Sequence, residues 1–516
     1  MRPEPDALQF TFTLRDMQHD LRDSYDAVPY DSHPFPQTHP DRLATIAWLF
    51  GMRPAPVEHC RMLEIGCASG GNILPIAATL PSAQFVGVDF SEVQIGQGTA
   101  ELSALGLSNA RLLTMDITEF DEGLGEFDYI IAHGVYSWVP AQVRDKLLAV
   151  CGRHLAPHGV AYVSYNTLPG WSTRGAVREA MRYPTRHVKD ASTRVRQARG
   201  VLEFLARHAT GDDAEYVGML RSEAEEVRSR PDYYVFHEHL EDVNEAFFFH
   251  EFIDHAARHG LRYLGEATFR NMFSHELGPA ASQALAAFAP DLITREQMID
   301  FLRNRTFRQT LLVREPMSLE RKISPVRVTA LHVATDAQAA VHDAASVQGA
   351  VEFRTPGGRA MAIIPEICKA AFAIMAAEWP ASIAFDALVS RLAARAGTGV
   401  TEDQQRLLSS ALLSGYALGA VELHFAPPAF TLTPGQRPCA SSVARLRAEQ
   451  GREVTTLRHE ELNVDALTRR LLLLLDGTRT RAELASLIWP ELAPEQRHAL
   501  IEQAIPQLAR QALLVA

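Results

Sequence analysis

From residue 61 onward, short apolar runs alternate with stretches whose apolar positions recur at helical spacing. The pattern predicts strands over 61–65, 84–89, 110–115, 127–132 and 160–165. Helices are predicted over 70–80, ended by Pro81, and over 91–105 and 140–155. Strands alternating with helices indicate a parallel sheet covered on both faces. A helix over 41–51 precedes them, with Asp41 placed to cap it after Pro40. Ahead of that helix, residues 1–44 are polar and proline-rich and read as an ordered arm, because proline blocks helix and sheet interiors.

The pattern changes after the core of 45–168. Residues 169–232 are charged and helical and read as an insertion. The run 233–240 (YYVFHEHL) reads as a strand, 246–259 as a helix closed by Gly260, and 261–267 as another strand. The segment 233–315 is thus expected to add the last two strands of the sheet, with 281–310 returning to helix. Residues 316–345 read as a linker or edge structure. Helices at 365–378, 381–396 and 401–416 are flanked by VEFRT and AVELHF. Helices at 464–475, 480–489 and 493–511 are flanked by VTTL and LLVA. Three helices edged by short strands predict winged-helix-like modules over 316–435 and 436–516.

Composition narrows the class. At 516 residues, several domains are expected. A net charge of −12 argues against nucleic acid as a partner, since binding it needs a basic face. Cys60, Cys67, Cys151, Cys368 and Cys439 form no CxxC pair, so neither a disulfide framework nor a zinc ribbon is expected. The start shows no secretory pattern, and the purest apolar run, around 471–475, is far too short to span a bilayer. A cytoplasmic protein without membrane insertion is expected.

The chemistry centres on MLEIGCASGGN, from Met62 to Asn72. A strand ends in Glu64, a glycine-rich turn follows (Gly66, Gly70, Gly71), and a helix opens. Gly66 lets the backbone turn sharply beside a ligand. Asp89 ends the next strand, where a carboxylate accepts hydrogen bonds from ribose hydroxyls, and Asp116 follows the third. In an open parallel sheet the ligand crevice lies at those strand ends. The dinucleotide pattern G-x-G-x-x-G fails, because Ala68 stands at the second glycine, and no phosphate-binding GK[ST] occurs. An acidic residue before the turn suits a cationic, amino-acid-bearing ligand.

E-x-G-x-x-x-G, then V-D, then M-D resembles the class I S-adenosylmethionine-dependent methyltransferases. The segments PYDSHPFPQTHPDRLA, HGVYSWVP, SYNTLPGW and HEHLEDVNEAFFFHEF are similar to those of methyltransferases carrying a methyltransferase regulatory domain, among them the rickettsial outer-membrane-protein lysine methyltransferases. The resemblance implies a Rossmann-like class I α/β sheet with S-adenosylmethionine as cofactor. It implies that the glycine turn and its acid hold the methionine moiety, that Asp89 holds the ribose, and that Asp116 and Ile117 flank the adenine. Cys67, Ala68, Gly70, Asn72, Phe90 and His133 are placed in the same cofactor set.

Tyr136 and Trp138 follow the fourth strand and Asn166 ends the fifth, so these three are the candidate catalytic residues. Core packing or structural hydrogen bonding is the commoner role for such residues, an aromatic ring at a strand end above all. Tyr30, Gln37 and His39 lie in the arm expected over the cofactor. In the strand reading, His237 and His239 share one face without a third ligand, so no metal is expected. The resemblance favours lysine amines of a protein as the acceptor. A small-molecule methyltransferase and a cofactor-sensing interaction protein remain open, as does a homodimer.

Overall fold

The computed structural model describes residues 28–120, 122–210, 214–273, 277–341 and 347–516. The arm expected over 1–44 is therefore described from Val28 onward, and 1–27 lie outside the described residues. The arm leads into α1 (Pro40–Leu49), whose Asp41 side chain accepts hydrogen bonds from distant partners and does not cap the helix. His39 caps it instead, accepting from Asp41 N.

The core follows as β1 (Arg61–Ile65), α2 (Ile73–Thr79), β2 (Gln84–Asp89), α3 (Glu92–Leu105), β3 (Ala110–Thr114), β4 (Phe127–Ala132), α4 (Ala141–His154) and β5 (Leu155–Asn166). The helix expected from residue 70 starts three residues later, because the turn runs on through Asn72. Burial along β1 and β4 is nearly continuous, as expected of strands covered on both faces.

The insertion holds α5 (Trp171–Thr185), α6 (Ala191–His208) and α7 (Ala214–Ser229). Their shared core includes Met181, Leu202 and Leu220. The strand expected over 233–240 is instead helical: α8 (Asp232–Val235) runs into a π turn, Phe236–Leu240. Val235, Phe236 and Leu240 bury themselves in the core of the insertion. A short apolar run cannot by itself separate strand from buried helix, and here the helical neighbours decide.

Then come α9 (Phe249–Arg258), β6 (Leu261–Glu266), α10 (Pro279–Phe288), α11 (Leu292–Arg303) and β7 (Phe307–Arg314). The expected final helix thus ends at Arg303, and its tail is already strand. The sheet has seven strands in the order β3-β2-β1-β4-β5-β7-β6. Pairing is parallel from β3 to β5, while β7 runs antiparallel to both β5 and β6. This is the class I methyltransferase sheet, completed by β6 and β7 and not by 233–240. Arg308 of β7 is fully buried and bridges Glu266 (2.5 Å), Asp300 (2.8 Å) and Glu296 (3.1 Å), tying β7 to β6 and α11.

Among its described residues, 316–341, the stretch expected as linker or edge structure is not a linker, and Gln338–Ala339 is an edge strand of a three-stranded sheet. His332–Ala334 is the middle strand of a three-stranded sheet, pairing with Ile383–Ala384 and Glu422–His424. Helices Glu366–Glu378, Phe385–Ala396 and Glu402–Leu418 pack beside it. The C-terminal region holds helices Ser442–Glu449, Ala466–Leu474, Arg481–Ile488 and Pro494–Arg510 with a small hairpin, Val454–Thr455 against Glu461–Leu462. Among the described residues no helix is long and apolar enough to cross a membrane.

Candidate active site

One cavity of about 810 Å³ opens at the carboxyl ends of the parallel strands. That location follows from topology: strand ends leave a crevice where the crossover helices diverge. Its volume lies within the range of cofactor and ligand pockets.

The turn after β1 carries three residues with left-handed backbone: Gly66 (φ 72°), Ala68 (φ 49°) and Gly70 (φ 80°). A Cβ on Gly66 would lie 2.6 Å from Val135 Cγ2, so only glycine fits. Ala68 takes the left-handed conformation that glycine adopts freely, and its N–H donates to Asp89 Oδ2 at 2.9 Å. Asp89 Oδ1 accepts from Ser91 N at 2.9 Å. The carboxylate thus fastens the first turn to the second.

Glu64 is 4% exposed. Its Oε1 accepts from Asn72 Nδ2 at 2.7 Å, while Oε2 is buried without a hydrogen-bond partner. Burial pushes its carboxyl up to about 8, opposed by the Asn72 bond and raised further by Asp89. An orphaned acceptor beside a glycine turn fits an incoming ammonium, such as the α-amino group of a methionine moiety.

Asn72 is a junction. Its Oδ1 accepts from Phe35 N (2.9 Å), Thr38 Oγ1 (3.2 Å) and His459 Nε2 (2.8 Å). The arm and the C-terminal region therefore both reach the residue that orients Glu64. The arm passes so close that a Cβ on Gly71 would lie 2.1 Å from Ser32 O, and Gly71 N donates to Ser32 Oγ. Burial holds His459 neutral, well below the usual imidazole range, which suits it as a simple N–H donor.

Of the expected cofactor residues, Glu64, Gly66, Cys67, Ala68, Asn72, Asp89, Phe90, Asp116, Ile117 and His133 line the cavity. Gly70 does not; a Cβ there would lie 2.9 Å from Leu74 Cγ. Asp116 Oδ1 accepts from Thr118 N and Oγ1, capping the short turn Ile117–Glu119. His133 bonds Tyr162 OH through Nδ1 at 2.8 Å, and burial lowers it to about 4, so it stays neutral.

Of the expected catalytic residues, Trp138 and Asn166 line the cavity. Tyr136 does not. Its hydroxyl bonds His255 Nδ1 at 2.7 Å, and its ring packs among Tyr165, Phe247 and Phe252 beneath the floor. A two-residue offset on the short helical turn Tyr136–Trp138 sends one ring to the core and the other to the cavity. In the arm, Tyr30 lines the cavity, while Gln37 bonds Tyr162 and His39 caps α1.

Sequence reasoning missed Ser32, Phe35, Gln94, Trp171, Arg174, Tyr234 and Glu238 as lining residues. The quoted resemblance segments contained Ser32, Phe35, Trp171 and Glu238, but spacing along the chain showed no common destination for them. His237 and His239 do not share a strand face. His237 bonds Glu241 and Val28 O from the π turn, holding the start of the described arm. Elsewhere, Asp145, His255 and His259 place ligand atoms within 4.8 Å of one another, but none of the three lines the cavity.

The strand order, the glycine turn, the orphaned Glu64 oxygen and Asp89 together define a class I S-adenosylmethionine-dependent methyltransferase. Comparison with known proteins agrees. The Methyltransferase domain matches residues 63–161, the predicted methyltransferase regulatory domain 231–314, and the PKMT C-terminal winged helix domain 436–507. Two uncharacterized proteins of Rickettsia prowazekii are 42% and 40% identical over 300 and 241 residues, 58% and 47% of this chain. The alignments span 54% of the first relative and 96% of the second. The structure of PKMT2 from Rickettsia typhi in complex with AdoHcy matches with a TM-score of 0.84 at 29% identity, covering 95% of this chain and all of that one. The chain belongs to this family of methyltransferases, which joins a cofactor domain to a regulatory segment and a PKMT winged helix, and its cofactor is S-adenosylmethionine.

Proposed function

We propose that the protein transfers methyl groups to lysine amines of a protein substrate. The observation that carries this reading is full-length correspondence with the rickettsial PKMT2 structure, including the winged-helix region and not the cofactor domain alone. Within the site, Glu64 and the turn would hold the methionine moiety, Asp89 the ribose hydroxyls, and Asp116 with Ile117 the adenine. Bound there, S-adenosylmethionine would supply the methyl group of its sulfonium for transfer.

The chain's own contribution is placement and dryness. Trp138 stands on the short turn that follows β4 and Asn166 at the end of β5, and both line the cavity. Asn166 is fixed by Ser137 Oγ, which accepts from its backbone N–H, and by Asn244 Oδ1, which accepts from Nδ2. Its Oδ1 is thereby left to accept a hydrogen bond from an amine. A lysine ammonium must shed a proton before it can attack, and a dry site lowers its pKa from about 10.4.

The test is methyl-labelled S-adenosylmethionine added to a lysate with the purified protein, followed by mass spectrometry. Label on lysine side chains of polypeptides is expected. Label confined to small metabolites overturns the reading in favour of a small-molecule acceptor.

A further inference from the structure

The far wall of the cavity comes from the insertion and the π turn: Trp171, Arg174, Tyr234, His237 and Glu238, with Tyr30 of the arm facing them. Glu238 stands apart in this group. Its neighbours are occupied: His237 clamps Glu241 and Val28, and Arg174 pairs with Glu223 at 3.5 Å while lying over the Trp171 ring. The Glu238 carboxylate accepts no hydrogen bond among the described residues, although it lines the cavity. Its backbone is fixed, since Glu238 O accepts from Asn244 Nδ2 at 3.1 Å, and Asn244 Oδ1 accepts from Asn166. This short relay ties the π turn to the end of β5.

Tyr30 and Tyr234 both lie within electrostatic reach of this carboxylate. A carboxylate that accepts no hydrogen bond among the described residues and stands beside aromatic rings suits an organic cation: the charge attracts, and the ring faces tolerate methyl groups that hydrogen bonds cannot. Burial pushes the Glu238 carboxyl up to about 7, against the pull of Arg174, Arg178 and Arg230 and with a push from Glu223. A group so desolvated gains most when a cation arrives.

We propose that Glu238 is the acceptor-side carboxylate, receiving the ammonium head of the substrate lysine and of its methylated forms between Tyr30, Tyr234 and Trp171. The proposal rests on the lysine reading above. Glu238 then also accepts the proton the amine must lose: an N–H bond breaks, an O–H bond forms on the carboxylate, and the electron pair stays on nitrogen. The proton leaves to water when the product departs.

The experiment uses full-length protein saturated with S-adenosylhomocysteine. Calorimetry follows titration with Nα-acetyl-lysine methylamide, its Nε-trimethyl form, and the uncharged norleucine analogue. Both cations are expected to bind at least about tenfold more tightly than norleucine, as one charged contact provides. Glu238→Gln should erase that preference while leaving S-adenosylhomocysteine affinity and Tm unchanged, and Glu238→Asp should restore part of it. A cation preference that survives in Glu238→Gln, or its absence from the unaltered protein, overturns the proposal. Steady-state kinetics separates the two readings. Lysine labelling with unchanged KM and kcat in Glu238→Gln removes the role of Glu238 and leaves the lysine reading intact. A Glu238-dependent cation preference with label on a non-lysine acceptor does the reverse.

Discussion

In the cofactor half of the cavity, Glu64, Asp89, Asp116 and Ile117 come from the ends of three adjacent strands. In the half proposed to take the acceptor, the wall is gathered from Tyr30, Trp138, Asn166, Trp171, Tyr234, Glu238 and Phe307. The first set is delivered by backbone topology: each strand carries its last residue to the same edge. The second set depends on how an arm, an insertion and a π turn pack on one another. A ligand common to a whole fold class can be held by the first kind of site. A substrate particular to one family needs the second. Even so, the cofactor half is not wholly local, because Asn72 takes a hydrogen bond from His459, far away in the chain.

The largest effect should separate scaffold from site. Arg308→Met removes a fully buried cation from among Glu266, Glu296 and Asp300. Asp300 keeps Arg305 at 3.2 Å, but Glu266 and Glu296 lose their paired cation, which should cost about 3–5 kcal/mol, read as a lower Tm or denaturant midpoint. Unchanged stability would show that this side of the sheet does not depend on the buried ion pairs.

Asp89→Ala comes next. It removes the acceptor for Ala68 N and the expected ribose contact. Affinity for S-adenosylhomocysteine should fall about a hundredfold, near 3 kcal/mol, measured by calorimetry. An undiminished affinity would break the idea that strand-end topology builds the cofactor half.

Glu64 gives the comparison a pH dependence. Its folded carboxyl is raised from 4.5 to about 8. Between those values the folded protein keeps a proton that the unfolded chain has lost. Its contribution to stability is therefore present below 4.5 and is lost as the pH rises through 8. A cofactor ammonium favours the ionised form. Binding at pH 7 should then release up to about one proton, and affinity should rise by up to about tenfold per pH unit until the pH passes the Glu64 value. Calorimetry in buffers of different ionisation enthalpy measures this. Glu64→Gln should abolish the release.

The smallest effect should come from His459→Ala. Losing one donor to Asn72 should weaken cofactor binding by about 1 kcal/mol, roughly fivefold, with little change in Tm. No change in affinity would confine the C-terminal region to a packing role at this contact.

Much of this was legible along the chain, and the failures have physical causes. Glu64, Gly66 and Asp89 announced themselves because their spacing is the spacing of consecutive β-α-β units. Trp138 was legible as a residue after β4, but its partner Tyr136 was not separable from it. Which ring faces the cavity depends on the short helical turn and on His255, which waits across the core. Glu238 sat in a run whose aromatic and β-branched residues imitate a strand. Only burial of Val235, Phe236 and Leu240 against α5 and α6 turned that run into a helix. His332–Ala334 was hidden for a similar reason: three residues carry no period, and both strands that pair with it lie far along the chain.

By itself the sequence determined the strand–helix alternation, the glycine turn and the carboxylates at its strand ends, because these follow from local periodicity and backbone conformation. Only the tertiary structure decided which distant side chains close the far wall of the cavity, that β7 inserts between β5 and β6, and that the C-terminal region reaches Glu64 through Asn72. Those outcomes rest on contacts between segments far apart in the chain, whose energies no short window of residues contains.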